Sequence, residues 1–205
     1  MDPITTIIFD IGNVLMRFTW KAYADGLFGE ETAERITRAI WRRGWWNELD
    51  RGVLSVEEII KGAQSEAPEL ASEIRTAFER SGEACSRHDY AIPWIESFKS
   101  RGYRMLYLSN YSEYLMNKRP DVLDFLPHLE GGVFSCRVKL VKPNPAIYQK
   151  ICDEYGLNKH ECLFIDDNRV NIALARSFGL GAIRFENYET TAPQIEEFLS
   201  ERSGK

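Results

Sequence analysis

Hydrophobic and polar positions change their period twice along this chain. Residues 5–9, Thr-Thr-Ile-Ile-Phe, form a short β-branched apolar run that ends at Asp10 and Gly12. Such a run reads as a strand buried on both faces that opens into a loop. From about Thr19 to Arg87 the pattern is helical. Residues 31–43 place Ala33, Ile36, Ile40 and Trp41 at helical spacing. The next helix begins with a capping box, Ser55 with Glu58 three residues on. The stretch 70–82 ends on Gly82, which reads as a helix stop.

Beyond this helical block, strand and helix signals alternate. Helix is expected over 92–102, strand over 103–109, helix near 111–117 and a short strand near 131–135. A helix over 144–156 then stops at Gly156, followed by a strand over 161–165, a helix over 168–179 that stops at Gly179, and a strand over 181–185. The last helix is expected to start near Thr191. Apolar strands alternating with helices predict an α/β fold, a Rossmann-like parallel sheet covered by helices on both faces. The helical block is then a small all-helical insertion after the first strand, so residues 1–14 and 91–205 form the core domain and 15–90 the insertion.

Composition narrows the function classes. A chain of 205 residues can bury a core without disulfide or metal staples. Its net charge of −5, with basic and acidic residues interspersed, gives no long-range attraction for nucleic acid. No apolar run is long enough to cross a bilayer, and the first ten residues lack the basic flank and cleavage site of a leader, so a cytoplasmic location is expected. Cys85, Cys136, Cys152 and Cys162 lie far apart without zinc-ligand spacing and read as free thiols. The expected partner is a small phosphorylated metabolite, and the expected state a monomer or weak homodimer. An anionic substrate must then be held by local groups.

In an open parallel sheet those groups gather beyond the carboxyl ends of the strands. Asp10 follows the first strand, Ser109 and Asn110 follow the second, Lys142 with Pro143 precedes a helix, and Asp166-Asp167 follow the strand at 161–165. A lone Asp after a strand is more often a turn or helix cap. Four polar clusters in this order are not.

This ordered set resembles the haloacid dehalogenase superfamily. Phe-Asp-Ile-Gly-Asn-Val-Leu (9–15) is similar to its first motif, Leu-Tyr-Leu-Ser-Asn (106–110) to its second, the lysine of Val-Lys-Pro-Asn-Pro (141–145) to its third, and Phe-Ile-Asp-Asp-Asn (164–168) to its fourth. The resemblance runs from about Ile7 to Phe185 and implies that the inserted helices form a cap. Asp-x-Gly-Asn-Val with a Lys-Pro third motif looks closest to small bacterial sugar-phosphate phosphatases, including those acting on glucose 1-phosphate.

The implied reaction is magnesium-dependent hydrolysis of a small phosphomonoester, a sugar phosphate, through an aspartyl-phosphate on Asp10.

 The resemblance implies these roles residue by residue. Asp10 and Lys142 are catalytic, and Lys142 pairs with both Asp10 and the phosphate. Asp10 and Asp167 hold magnesium together with the Gly12 carbonyl, while Asp166 orients a metal-bound water. Ser109 and the Asn110 backbone donate to phosphate oxygens, as phosphoryl transfer demands. Asn13, Trp45, Trp46 and Arg51 are the further candidates on the substrate side, and Asn171 ties down the fourth loop.

One departure stands out. Most phosphatases of this family carry a second Asp two residues after the nucleophile to protonate the leaving oxygen, and this chain has Gly12 there. A positioned acid or base is worth about 10²–10⁴-fold. Asn13 cannot replace it, because an amide does not shuttle protons near neutral pH. Glu48 and Asp50 of the insertion are candidate substitutes, with a solvated helix end the blander expectation for both. Trp41, Trp45 and Trp46 are expected to pack within the insertion, or to close over a small sugar. His88, His128 and His160 have no motif around them and are expected at the surface or in caps. Two other readings stay open, a 2-haloacid dehalogenase-type hydrolase and a phosphate-binding regulatory protein that has lost turnover.

Overall fold

The computed structural model describes residues 2–202. Its strands are β1 (Thr6–Phe9), β2 (Met16–Phe18), β3 (Cys85–Arg87), β4 (Arg104–Ser109), β5 (Gly131–Phe134), β6 (Cys162–Asp166) and β7 (Gly181–Arg184). Five of them form one sheet in the order β5-β4-β1-β6-β7. Every pairing in it is parallel. β1 is buried throughout because it lies in the middle, with Ile7 opposite Met105 on one side and Leu163 on the other.

Between β1 and β4 lie α1 (Trp20–Phe28), α2 (Glu30–Trp41), α3 (Trp45–Arg51), α4 (Val56–Glu66), α5 (Ala71–Glu79) and α6 (Ala91–Lys99). After β4 come α7 (Glu113–Lys118), α8 (Ser135–Val138), α9 (Pro145–Tyr155), α10 (Arg169–Phe178) and α11 (Tyr188–Arg202). The two-residue period of β1 distributes its side chains between two cores. Ile7 and Phe9 join Trp94, Phe98, Ile195 and Leu199 from α6 and α11. Ile8 joins Ile147, Tyr148, Ile151 and Ile172 from α9 and α10. Helices thus cover both faces.

Three local expectations differ from the structure. The insertion is not wholly helical, since β2 and β3 pair as an antiparallel ribbon where the chain leaves and re-enters the core. Strands of three residues are too short to show a period. Gly82 does not stop α5, which ends at Glu79; Gly82 lies inside a 3-10 turn over Ser81–Ala84. α11 starts at Tyr188, ahead of Thr191, because the Asn187 side chain accepts from the Thr190 N–H at 2.9 Å and caps the first turn.

The topology determines where chemistry gathers. From β1 the chain builds outward through β4 to β5, then returns past β1 to β6 and β7. The crevice of such a sheet lies where that order reverses, at the carboxyl end of β1.

Candidate functional site

Asp10 leaves β1 into this crevice, Ser109 ends β4 and Asp166 ends β6. Ligand oxygens of Asp10, Asp166 and Asp167 all lie within 4.8 Å of one another. Lys142 reaches them from the loop before α9. Its ammonium is buried, 2.9 Å from Asp10 Oδ1 and 2.6 Å from Asp166 Oδ2. The lysine is held at its backbone by Asn110, whose Oδ1 accepts from the Lys142 N–H at 2.8 Å and whose amide donates to the Lys142 carbonyl at 3.0 Å. The Lys142–Pro143 peptide is cis, and the Asn144 side chain then caps α9.

Asp166 is wholly enclosed and fully engaged. Oδ1 accepts from the Asn168 N–H at 2.7 Å and from Asn171 at 3.1 Å, while Oδ2 accepts from Lys142 and from Asn171 at 3.0 Å. Asn171 thereby ties the fourth loop to the sheet. Asp10 uses Oδ1 for both Lys142 and the Ile11 N–H at 2.7 Å. Asp167 is only partly buried and accepts from the Asn13 amide at 3.1 Å.

These contacts leave the cluster short of positive charge. Burial pushes the Asp10 carboxyl well above the ordinary range, against the pull of Lys142 and with help from Asp166 and Asp167. Asp167 is raised too, chiefly by burial, and the Asn13 bond opposes the rise. Burial also works against the Lys142 charge, but Asp10 and Asp166 outweigh it and raise its pKa. One ammonium among three carboxyls is an arrangement that a cation would complete, with Asp10 and Asp167 the oxygens still open to it.

A cavity of about 500 Å³ extends from this cluster to the insertion. Asp10, Gly12, Asn13, Asn110, Lys142 and Asp167 line one side. Phe18, Trp20, Trp41, Trp46 and Asp50 line the other. Trp41 and Trp46 stack with centroids 4.9 Å apart and planes 14° apart, and the edge of Trp20 meets both. At Gly12 an added Cβ would meet nothing within 4 Å, so sterics do not demand the glycine.

The expected substrate-side residues divide along α3. Trp46, Leu49 and Asp50 form its buried face, at positions i, i+3 and i+4. Trp45 and Arg51 fall outside the cavity lining, a correction to their expected place beside substrate. The Trp45 ring instead sits against Gly62 of α4, and Arg51 pairs with Glu48. Asn13 lines the cavity but uses its amide between Asp167 and the Phe18 N–H, with a left-handed φ of 58°. Ser109 is enclosed at the end of β4 and does not line the cavity; its Oγ has no hydrogen-bond partner among the described residues. Asp50, for which a solvated helix end was the blander expectation, is 7% exposed and faces the cavity. Its sequence signal was the i+4 spacing from Trp46. Tyr111 also lines the cavity, without any motif that marked it.

The chain is similar to several known proteins. Residues 4–179 match the family described as haloacid dehalogenase-like hydrolase. Phosphatase MT3486 of Mycobacterium tuberculosis is 30% identical over 210 residues, covering 96% of this chain and 94% of that protein. (S)-2-haloacid dehalogenase 1 of a Pseudomonas species is 23% identical over 98% of this chain and 92% of its own length. The chloroplast flavin mononucleotide hydrolase 1 of Arabidopsis thaliana is 24% identical over 74% of this chain, which spans only 61% of that protein. Among solved structures, a Bacteroides thetaiotaomicron enzyme of the same family in complex with magnesium has a TM-score of 0.74 at 17% identity, over 95% of this chain and 99% of that one. That likeness shows the fold.

Proposed function

Because the chain belongs to the haloacid dehalogenase-like hydrolase family, we propose that it is a magnesium-dependent phosphatase acting on a small phosphomonoester, with Asp10 as nucleophile. The observation that carries this reading is the charge balance at the carboxyl end of β1. Lys142 and Asn171 satisfy Asp166, while Asp10 and Asp167 are left with surplus negative charge around one side of the cavity. Hard carboxylate oxygens suit magnesium, which when bound would neutralise the repulsion between an attacking carboxylate and an anionic phosphate.

The chain's own groups supply the rest. Lys142 and the Ile11 N–H orient the Asp10 carboxylate, one oxygen of which attacks phosphorus while the other would hold the metal. The ester P–O bond breaks, its electron pair leaves with the alcohol oxygen, which takes a proton from solvent water, and Asp10 carries the phosphoryl group. Water then attacks that phosphorus and gives a proton to solvent as the aspartyl P–O bond breaks, freeing Asp10 and inorganic phosphate. With Gly12 in place of an acid, this scheme favours an alcohol with a comparatively acidic oxygen, such as the anomeric hydroxyl of a sugar. The stacked tryptophans and the cavity volume suit a small sugar. The phosphatase and flavin mononucleotide hydrolase relatives support the same reaction class.

A second reading rests on the dehalogenase relatives, which match at similar identity. There an Asp also attacks, with carbon as electrophile, and the open Asp167 would have no evident task. A panel of sugar 1-phosphates, sugar 6-phosphates, nucleotides, flavin mononucleotide and 2-chloropropionate separates the two. The phosphatase reading expects phosphate release that stops when magnesium is chelated. Chloride release in the presence of chelator would replace it with carbon–halogen hydrolysis, and phosphate binding without product would replace it with a regulatory role.

A further inference from the structure

The Asp50 carboxyl is buried, lines the cavity from α3, and makes no hydrogen bond among the described residues. Its backbone, by contrast, is fixed. The Ser135 hydroxyl donates to the Asp50 carbonyl and accepts from the Tyr111 N–H at 3.0 Å. One side chain of α8 therefore locks Asp50 and Tyr111 at the same wall. The Tyr111 hydroxyl is buried as well and has no bond of its own beyond the neighbouring Cys85 thiol.

A buried carboxyl left without a partner at a cavity wall is costly to folding unless a ligand completes it. Its chemistry limits that ligand. A carboxyl near Asp10 repels a phosphate, so the anionic end of a substrate belongs with Lys142 and the open metal-binding oxygens. A hydroxyl suits Asp50 in either protonation state, as it can donate to a carboxylate or accept from a carboxylic acid. Trp46, one turn before Asp50 on the same face of α3, offers an apolar surface beside it.

We propose that Asp50 is a specificity-determining residue that hydrogen-bonds a hydroxyl of the alcohol part of the substrate, so that the site selects polyol and sugar phosphates over plain alkyl phosphates. This rests on the phosphatase reading and extends it to the leaving group.

The test compares kcat/KM on glucose 1-phosphate and glucose 6-phosphate with that on cyclohexyl phosphate, which keeps a six-membered ring and lacks the hydroxyls. Wild type, Asp50→Ala and Asp50→Asn are assayed with magnesium, and thermal melts check that each variant folds. The wild type should prefer a glucose phosphate. Asp50→Ala should lower kcat/KM on it by about 10–100-fold, mainly through KM, and lower cyclohexyl phosphate hydrolysis far less. Asp50→Asn should recover part of the loss. An equal loss on all three esters, a larger loss on cyclohexyl phosphate, or no loss on any overturns the inference while leaving the phosphatase reading intact. A wild type that releases phosphate from none of these three but from another phosphomonoester of the panel overturns the inference alone; one that releases phosphate from no phosphomonoester overturns both.

Discussion

At the scale of residues, the site contrasts buried carboxyls that are satisfied with one that is not. Asp166 receives bonds on both oxygens, whereas Asp50 receives none and burial, seconded by Asp10 and opposed by Lys142, pushes its pKa up to about 8. The folded chain thus holds a proton on Asp50 that the unfolded chain releases from about pH 4 upward. Stability accordingly falls as pH rises from about 4 towards 8, and the whole penalty stands above that window. Asp50→Asn removes the titration, so its Tm in chelator should match the wild type near pH 4 and exceed it by several degrees at pH 8.5, at about 2–4 °C per kcal/mol for a chain of this size. Calorimetry across that range checks this, and a constant difference would mean that the carboxyl is solvated. The other site carboxyls were legible in sequence because they stand at strand ends. Asp50 was ambiguous because a helix of seven residues carries too few positions to reveal which face is buried.

At the scale of elements, α3 is positioned by close packing on α4. An added Cβ on Gly62 would lie 2.5 Å from the Trp45 ring. Alanine normally gains about 1 kcal/mol over glycine inside a helix, but overpacking costs about 1–3 kcal/mol. Gly62→Ala should therefore lower Tm, which a thermal melt measures; a higher Tm would show that the ring gives way freely. This contact was invisible in sequence, where Trp45 and Trp46 are equivalent neighbours. Longer elements were legible, including the capping box of Ser55 and Glu58 at the start of α4. The β2–β3 ribbon was not, because its pairing links residues about seventy apart and neither strand is long enough to show alternation.

At the scale of the whole molecule, the sheet order brings Asp10, Lys142, Asp166 and Asp167 together from distant parts of the chain, and the inserted helices roof the space above them. The alternation of strands and helices was enough to anticipate that crevice, since a parallel sheet has few ways to place its switch point. The shape of the roof was not, because it depends on helix faces that only tertiary packing selects. Attack of Asp10 on phosphorus in a reaction that needs magnesium is tested most directly by phosphate release from the best phosphomonoester by wild type and Asp10→Asn, each with magnesium and with chelator. Wild type should turn over with magnesium and not with chelator, and Asp10→Asn should lose at least about a thousandfold with the fold retained. Turnover by Asp10→Asn at a rate near that of the wild type would contradict it.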